Sequence, residues 1–468
     1  MYSRWLRALC LIILCCSSAI PQAGQSVDPY GFEERSGGPP GALMGMRMEK
    51  AQRSAAGVTI VTTGGEFSLA DDGILRCFQR IPLRREIARV ALPKASSPWQ
   101  AGPADEFRCV FYNESIQLEI HGDSVIILEP KQNGKLGFTG LFEPAYHAGK
   151  DGRWIFIDSQ GGFGIYPVAK KTVRPPALQT KNWNVQYTVK ENEEIWLSVF
   201  PPRPYNWRRA MEPIAHEGSP GQHCPTDKLI RSAARFCKIF VVHSYFWPGG
   251  DREPWIIPRF VPEDMLEFSR MRDEVHRNGM KLVPYFSPYY YSGNDFFGEI
   301  RRALDEYRVD GLYFDGISMD FRKSYRVIRL ARQILGPDRI LYVHCSSDPL
   351  GSTTVYCPFI DAYADFLLRG EAGRGDLSRD DFLRWVLSGY NISNAVGYWC
   401  YYGSTGKAGY VADDPTHEDI EVALKYEVRI PRTEVGFEVI WKEDSGHLDQ
   451  FDKVYFGRLD QLRRQHSR

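Results

Sequence analysis

The chain reads as two consecutive architectures, a β-sandwich over residues 58–190 followed by a (β/α)8 TIM barrel over residues 195–468. Three observations predict this. From Val58 to Val189 short β-branched and aromatic runs are separated by turn signals, among them Asp71-Asp72-Gly73, Gly122-Asp123 and Asn133-Gly134, the texture of an antiparallel sandwich. After about Glu194 strand-like runs alternate with helix-like ones, the signature of βα units. No glycine-rich phosphate loop follows an early strand, which favours a barrel over an open doubly wound sheet, and the length left suits the roughly 250 residues a barrel needs.

The elements follow in order. Arg4 and Arg7 precede the apolar run Ala8–Cys16 and the small residues Ser17-Ser18-Ala19. This is a secretory leader over residues 1–19, and it predicts a secreted or periplasmic protein. Leu and Ile before Cys15 and Cys16 argue against a lipoprotein anchor, and no later run is long enough to span a bilayer. Residues 20–57, polar with Gly37-Gly38-Pro39-Pro40-Gly41, read as a flexible tether. The barrel strands are expected at Ile195–Phe200, Ile239–His243, Lys281–Phe286, Gly311–Asp315, Ile340–His344, Phe359–Tyr363, Ala395–Trp399 and Val435–Trp441. Helices are expected over Pro262–Asn278, stopped by Gly279, and Phe321–Leu335, stopped by Gly336-Pro337. Ser378–Asp381 and Thr416–Asp419 resemble capping boxes, and a last helix runs near Leu448–Arg464.

Composition narrows the function classes. Lys+Arg and Asp+Glu balance at 58 each, so nothing points to nucleic acid as a partner. Trp, Tyr and Phe reach 13%, which suits both a packed core and a site that stacks sugar rings. Cys77, Cys109, Cys224, Cys237, Cys345, Cys357 and Cys400 follow the leader in scattered positions without CxxC spacing, neither a disulfide scaffold nor a zinc knuckle. No HxH or HExxH spacing marks a metal site, and no cofactor is expected.

Barrel chemistry sits at the C-terminal ends of the strands. There the sequence places His243 with Trp247, Tyr285 with Tyr289, Asp315, His344, Asp365 with Arg369 and Glu371, and Trp399 with Tyr401. Asp315 is the sharpest of these. The apolar run Leu312-Tyr313-Phe314 delivers one carboxylate to the barrel mouth, and Gly316 lets the chain turn away. Such a carboxylate can attack an anomeric carbon, and Asp365 or Glu371 then supplies the acid/base. Arg369 is a candidate for substrate binding or for tuning a neighbouring carboxylate. His243 and His344 are candidates for binding sugar hydroxyls. Trp247, Tyr285, Tyr289, Trp399 and Tyr401 are candidate substrate contacts, most of them as stacking platforms; core packing is the alternative for each. The expected activity is hydrolysis of O-glycosidic bonds in an oligo- or polysaccharide or glycoconjugate. The alternatives are a carbohydrate-binding barrel without turnover and a metal-dependent hydrolase in which His243, His344 and Asp315 converge.

With these residues the sequence resembles the retaining glycoside hydrolases related to α-galactosidases, through Leu-Tyr-Phe-Asp-Gly on strand four, and barrels grouped near glycoside hydrolase family 123. The first resemblance implies a nucleophilic Asp after strand four, matching Asp315, and an acid/base after strand six, matching Asp365 or Glu371. It departs at Tyr313, where those relatives carry Lys. Family 123 implies an adjacent Asp-Glu pair, which does not end strand four here.

Overall fold

The computed structural model describes residues 44–466 apart from 55–56, 71, 96, 180, 219–223, 249–256, 318–319, 345–351, 353, 371–372, 401–415 and 436–446. The expected leader and the first part of the tether lie outside the described residues. The architecture is mixed α/β, with two large antiparallel sheets followed by a curled parallel sheet flanked by helices.

The first antiparallel sheet runs in the order Met48–Ser54, Gly57–Thr62, Gly65–Leu69, Ile74–Gln79, Arg85–Ala91, Gly134–Gly140, Asn182–Val189, Ala177–Gln179. Its inner strands bury every second side chain, as strands with one wet face do. Met48–Ser54 corrects the expected tether: it pairs with Gly57–Thr62 although its side chains are nearly all exposed. Main-chain hydrogen bonds, the Glu49–Arg80 ion pair at 2.6 Å and Met48 at its start hold this edge, so no apolar alternation marked it.

The second sheet runs Tyr146–Lys150, Arg153–Asp158, Gly161–Pro167, Ile195–Phe200, Val125–Pro130, Ile116–His121, Arg108–Tyr112, Gln100–Ala104. Ile60, Phe67 and Leu75 of the first sheet share one core with Leu118, Leu128, Phe163 and Leu197 of the second. Trp183 lies flat on Phe156 at 3.8 Å between ring centroids. Position 140 is glycine because a Cβ there would meet the Trp183 indole at 1.9 Å.

The other face of the second sheet packs on the parallel part. Val125, Tyr166 and Trp196 belong to that part's core, and Trp196 meets Phe321 and Tyr325 edge-on at 5.4 Å each. Ile195–Phe200 is therefore buried on both faces and pairs antiparallel with Gly161–Pro167 and Val125–Pro130. It is not the first parallel strand. Burial on both faces produces the continuous apolar run that parallel strands also show.

The parallel strands are, in order, Ile214–Gly218, Ile239–Val242, Lys281–Phe286, Gly311–Asp315, Ile340–His344, Phe366–Arg369 and Val396–Trp399. Val428–Arg429 continues the sheet beside the seventh strand, and Arg432–Val435 pairs with the first. Only Ile430 and Pro431 separate these two pieces. The sixth strand is a second correction: Phe359–Tyr363 is not a strand, because Pro358 starts a short helix, Pro358–Asp361, a position that suits proline. The expected run Val435–Trp441 is described only as far as Val435. Helices Met265–Arg277 and Phe321–Leu335 end before Gly279 and Gly336, both at positive φ, and Thr416 and Asp419 form a reciprocal capping box. The last helix is His447–His466. No described helix is long and apolar enough to cross a membrane.

Candidate active site

Asp315 ends the fourth parallel strand, 8% exposed. The parallel register sets it beside His344, the last residue of the fifth strand. His344 Nδ1 lies 3.0 Å from Asp315 Oδ1, and the Tyr285 hydroxyl of the third strand donates to Oδ2 at 3.0 Å. Ser287 donates to the Asp315 main-chain oxygen at 2.6 Å, fixing the turn. Gly316 follows at φ +75°, where a Cβ would come 3.2 Å from Tyr289.

Burial pushes the Asp315 carboxyl up, but the hydrogen bond and charge of His344, the charge of His243 and the Tyr285 hydrogen bond outweigh it and hold it below the usual carboxylate range. Burial and then the Asp315 charge push the Tyr285 hydroxyl well up, so it stays a donor. A carboxylate only accepts, so His344 carries its proton on Nδ1. The Tyr313 hydroxyl lies 2.9 Å from the same nitrogen.

The other expected residues divide. His243 follows the second strand, half-buried, with its ring 4.8 Å from that of Tyr285 and its Nδ1 3.1 Å from Ser244 Oγ. Tyr289 stands half-buried beside Gly316. Trp399 closes the seventh strand, 4% exposed, against Gly370. Trp247 is a correction: it is fully buried, donates its indole N–H to the Tyr285 main-chain oxygen at 2.8 Å and packs on Phe246, Phe260 and Phe286. It is core rather than a stacking platform. Arg369 is also not a pocket group. Its guanidinium pairs with Asp361 and lies over the Tyr356 ring at 4.6 Å.

Asp365 is a further correction. It precedes the sixth strand and so stands at the opposite, N-terminal end of the sheet from Asp315. Its carboxylate accepts from Arg332 at 2.7 Å, Arg209 at 3.2 Å and the Leu341 N–H at 2.9 Å. The misplaced sixth strand put it at the wrong end. Glu371 and Tyr401 lie outside the described residues.

One site residue was missed. His216, on the first parallel strand, is 4% exposed with its ring 4.6 Å from Tyr313 and 5.9 Å from His243. Burial, then His243 and His344, push its pKa well down, so it is a neutral imidazole. The short run Ile214-Ala215 after Pro213 was its only sequence signal. Among the described residues no group of three or more His, Cys, Asp or Glu is arranged to hold a metal ion.

No protein-family model matches the sequence, and no curated protein matches it. Solved structures similar to it include a maltogenic alpha-amylase from Thermotoga neapolitana, at 12% identity over 53% of this chain and 77% of that one, TM-score 0.36. A GH18 chitinase from Pseudoalteromonas aurantia is similar at 10% identity over 52% and 99%, TM-score 0.37. A GH31 family sulfoquinovosidase from E. rectale is similar at 9% identity over 82% and 81%, TM-score 0.37. Likeness this distant bears on neither substrate nor mechanism.

Proposed function

We propose that the protein is an exported glycoside hydrolase of the retaining type with Asp315 as its nucleophile. The observation that carries this is the buried, ionised Asp315 at the C-terminal end of a parallel strand, its two oxygens fixed by donors from the two neighbouring strands. In this reading the parallel sheet is a closed (β/α)8 barrel whose eighth strand is Val428–Val435, interrupted at Ile430-Pro431. The two antiparallel sheets form the preceding sandwich, and residues 1–19 are the leader.

Asp315 attacks the anomeric carbon, and the bond to the leaving oxygen breaks as Glu371 gives that oxygen its proton. Water, deprotonated by Glu371, then attacks the same carbon, and the bond to Asp315 breaks. Glu371 is assigned because it follows the sixth strand's C-terminal end by two residues. His243, Tyr289 and Trp399 contact the sugar from around the strand ends, with His216 behind them in the middle of the first parallel strand.

The test is a panel of aryl glycosides against the wild-type protein and Asp315→Asn. The amide is nearly isosteric but cannot attack or balance positive charge, so turnover falls by about three orders of magnitude while the melting curve persists. Near-wild-type turnover by Asp315→Asn sinks the assignment. Saccharide binding by a wild-type protein that cleaves none of the panel would favour the binding-module alternative.

A further inference from the structure

The two donors on Asp315 do not act equally on the two halves of such a reaction. Tyr285 and His344 come from strands on either side of Asp315 and each reaches a different carboxylate oxygen at 3.0 Å. Both are held. Tyr285 is fully buried, and its main-chain oxygen accepts from Trp247 at 2.8 Å. His344 is 5% exposed, with the Tyr313 hydroxyl 2.9 Å from its Nδ1.

Hydrogen bonds to an ionised acceptor are roughly twice as strong as those to a neutral one. The free carboxylate receives their full effect; the glycosyl ester, with its charge gone, receives much less. The donors therefore make Asp315 a better leaving group and a weaker nucleophile. Resting on the retaining reading, we infer that Tyr285 and His344 are positioning residues for the second step, in which water adds to the anomeric carbon, the carbon–oxygen bond to Asp315 breaks and the electron pair returns to the carboxylate. The same pair explains why two strand-end side chains are spent on a carboxylate that one donor would orient.

The test uses dinitrophenyl α- and β-glycosides of glucose, galactose and N-acetylglucosamine, whose good leaving group keeps the first step fast. On whichever of these the wild type cleaves, Tyr285→Phe slows release of the sugar about ten- to a hundredfold. Dinitrophenol then appears in a burst equal to the enzyme concentration, kcat and KM fall together, and intact-protein mass shows a glycosyl adduct that Asp315→Asn never forms. His344→Asn, whose amide retains a donor, shows a smaller shift in the same direction. Circular dichroism confirms that both variants are folded. A fall in kcat in Tyr285→Phe with no burst, no adduct and unchanged KM overturns the inference while leaving Asp315 as nucleophile. A wild-type protein that cleaves none of the six probes overturns the retaining reading, and this inference with it.

Discussion

Asp315 is ionised because its donors outweigh its burial, and that balance has a pH signature. A carboxyl whose folded pKa lies below its unfolded value of about 3.9 contributes stability above that value and loses it as pH falls through the folded pKa. Asp315→Asn carries no titrating group. The stability difference between wild type and this variant, read by urea denaturation, should therefore change below about pH 4 in the direction that weakens the wild type. A wild type that instead gains stability relative to the variant as pH falls would show that the carboxyl is raised. Trp247 gives a contrasting expectation. Trp247→Phe removes the donor to the Tyr285 oxygen, which costs about 1–3 kcal/mol for a buried acceptor left unsatisfied. The melting temperature should fall; a large KM change with unaltered melting would return Trp247 to the substrate.

At the scale of elements, Asp365 fastens the start of the sixth strand to helix Phe321–Leu335 through Arg332, which is fully buried, and to helix Trp207–Ala210 through Arg209. Burial pushes its carboxyl up, and Arg332 and Arg209 then pull it below the usual range. Removing one partner of a buried pair leaves an uncompensated charge, so Asp365→Asn should cost about 3–5 kcal/mol, read by denaturant titration. Azide should not accelerate its residual turnover, as it would for a lost acid/base. The same region shows what was legible in the sequence. Helix Phe321–Leu335 was legible to the residue through its stop at Gly336-Pro337, and the structure adds Asp320 as its N-cap. Gly311–Asp315 and Ile340–His344, which carry the centre of the site, were also read correctly. Where reading failed, periodicity was silent. Ile195–Phe200, Phe359–Tyr363 and Phe366–Arg369 are all short apolar runs buried throughout, and burial on every side erases the pattern that separates strand from helix. The error at the sixth strand shifted that strand's end and took Asp365 with it. Trp247 failed for another reason: a core indole and a stacking platform have the same sequence signature.

Across the whole molecule, the second antiparallel sheet is the inner layer of two cores at once. Its hairpin carboxylate Asp123 accepts from Tyr325 at 2.5 Å and Tyr363 at 2.7 Å, both from the parallel part, and His121 Nδ1 lies 3.0 Å from the Tyr325 hydroxyl. Trp196 adds the apolar half of the same junction, 6% exposed against Phe321, Tyr325 and Phe359. Since Ile195 and Leu197, its neighbours along the strand, fill the core shared with the first sheet, one strand transmits packing in both directions. Trp196→Ala should therefore destabilise by about 3–5 kcal/mol, the range for emptying a buried aromatic site, and should do so for the molecule as a unit. Wild type and variant should each melt in one transition, with far-ultraviolet and near-ultraviolet dichroism changing together. If the parallel part folded independently of the sheets beside it, the variant would instead show two separated transitions, the upper one at the wild-type temperature. That outcome would mean Trp196 merely fills a contact, and that the helices facing it hold their positions without the sheet.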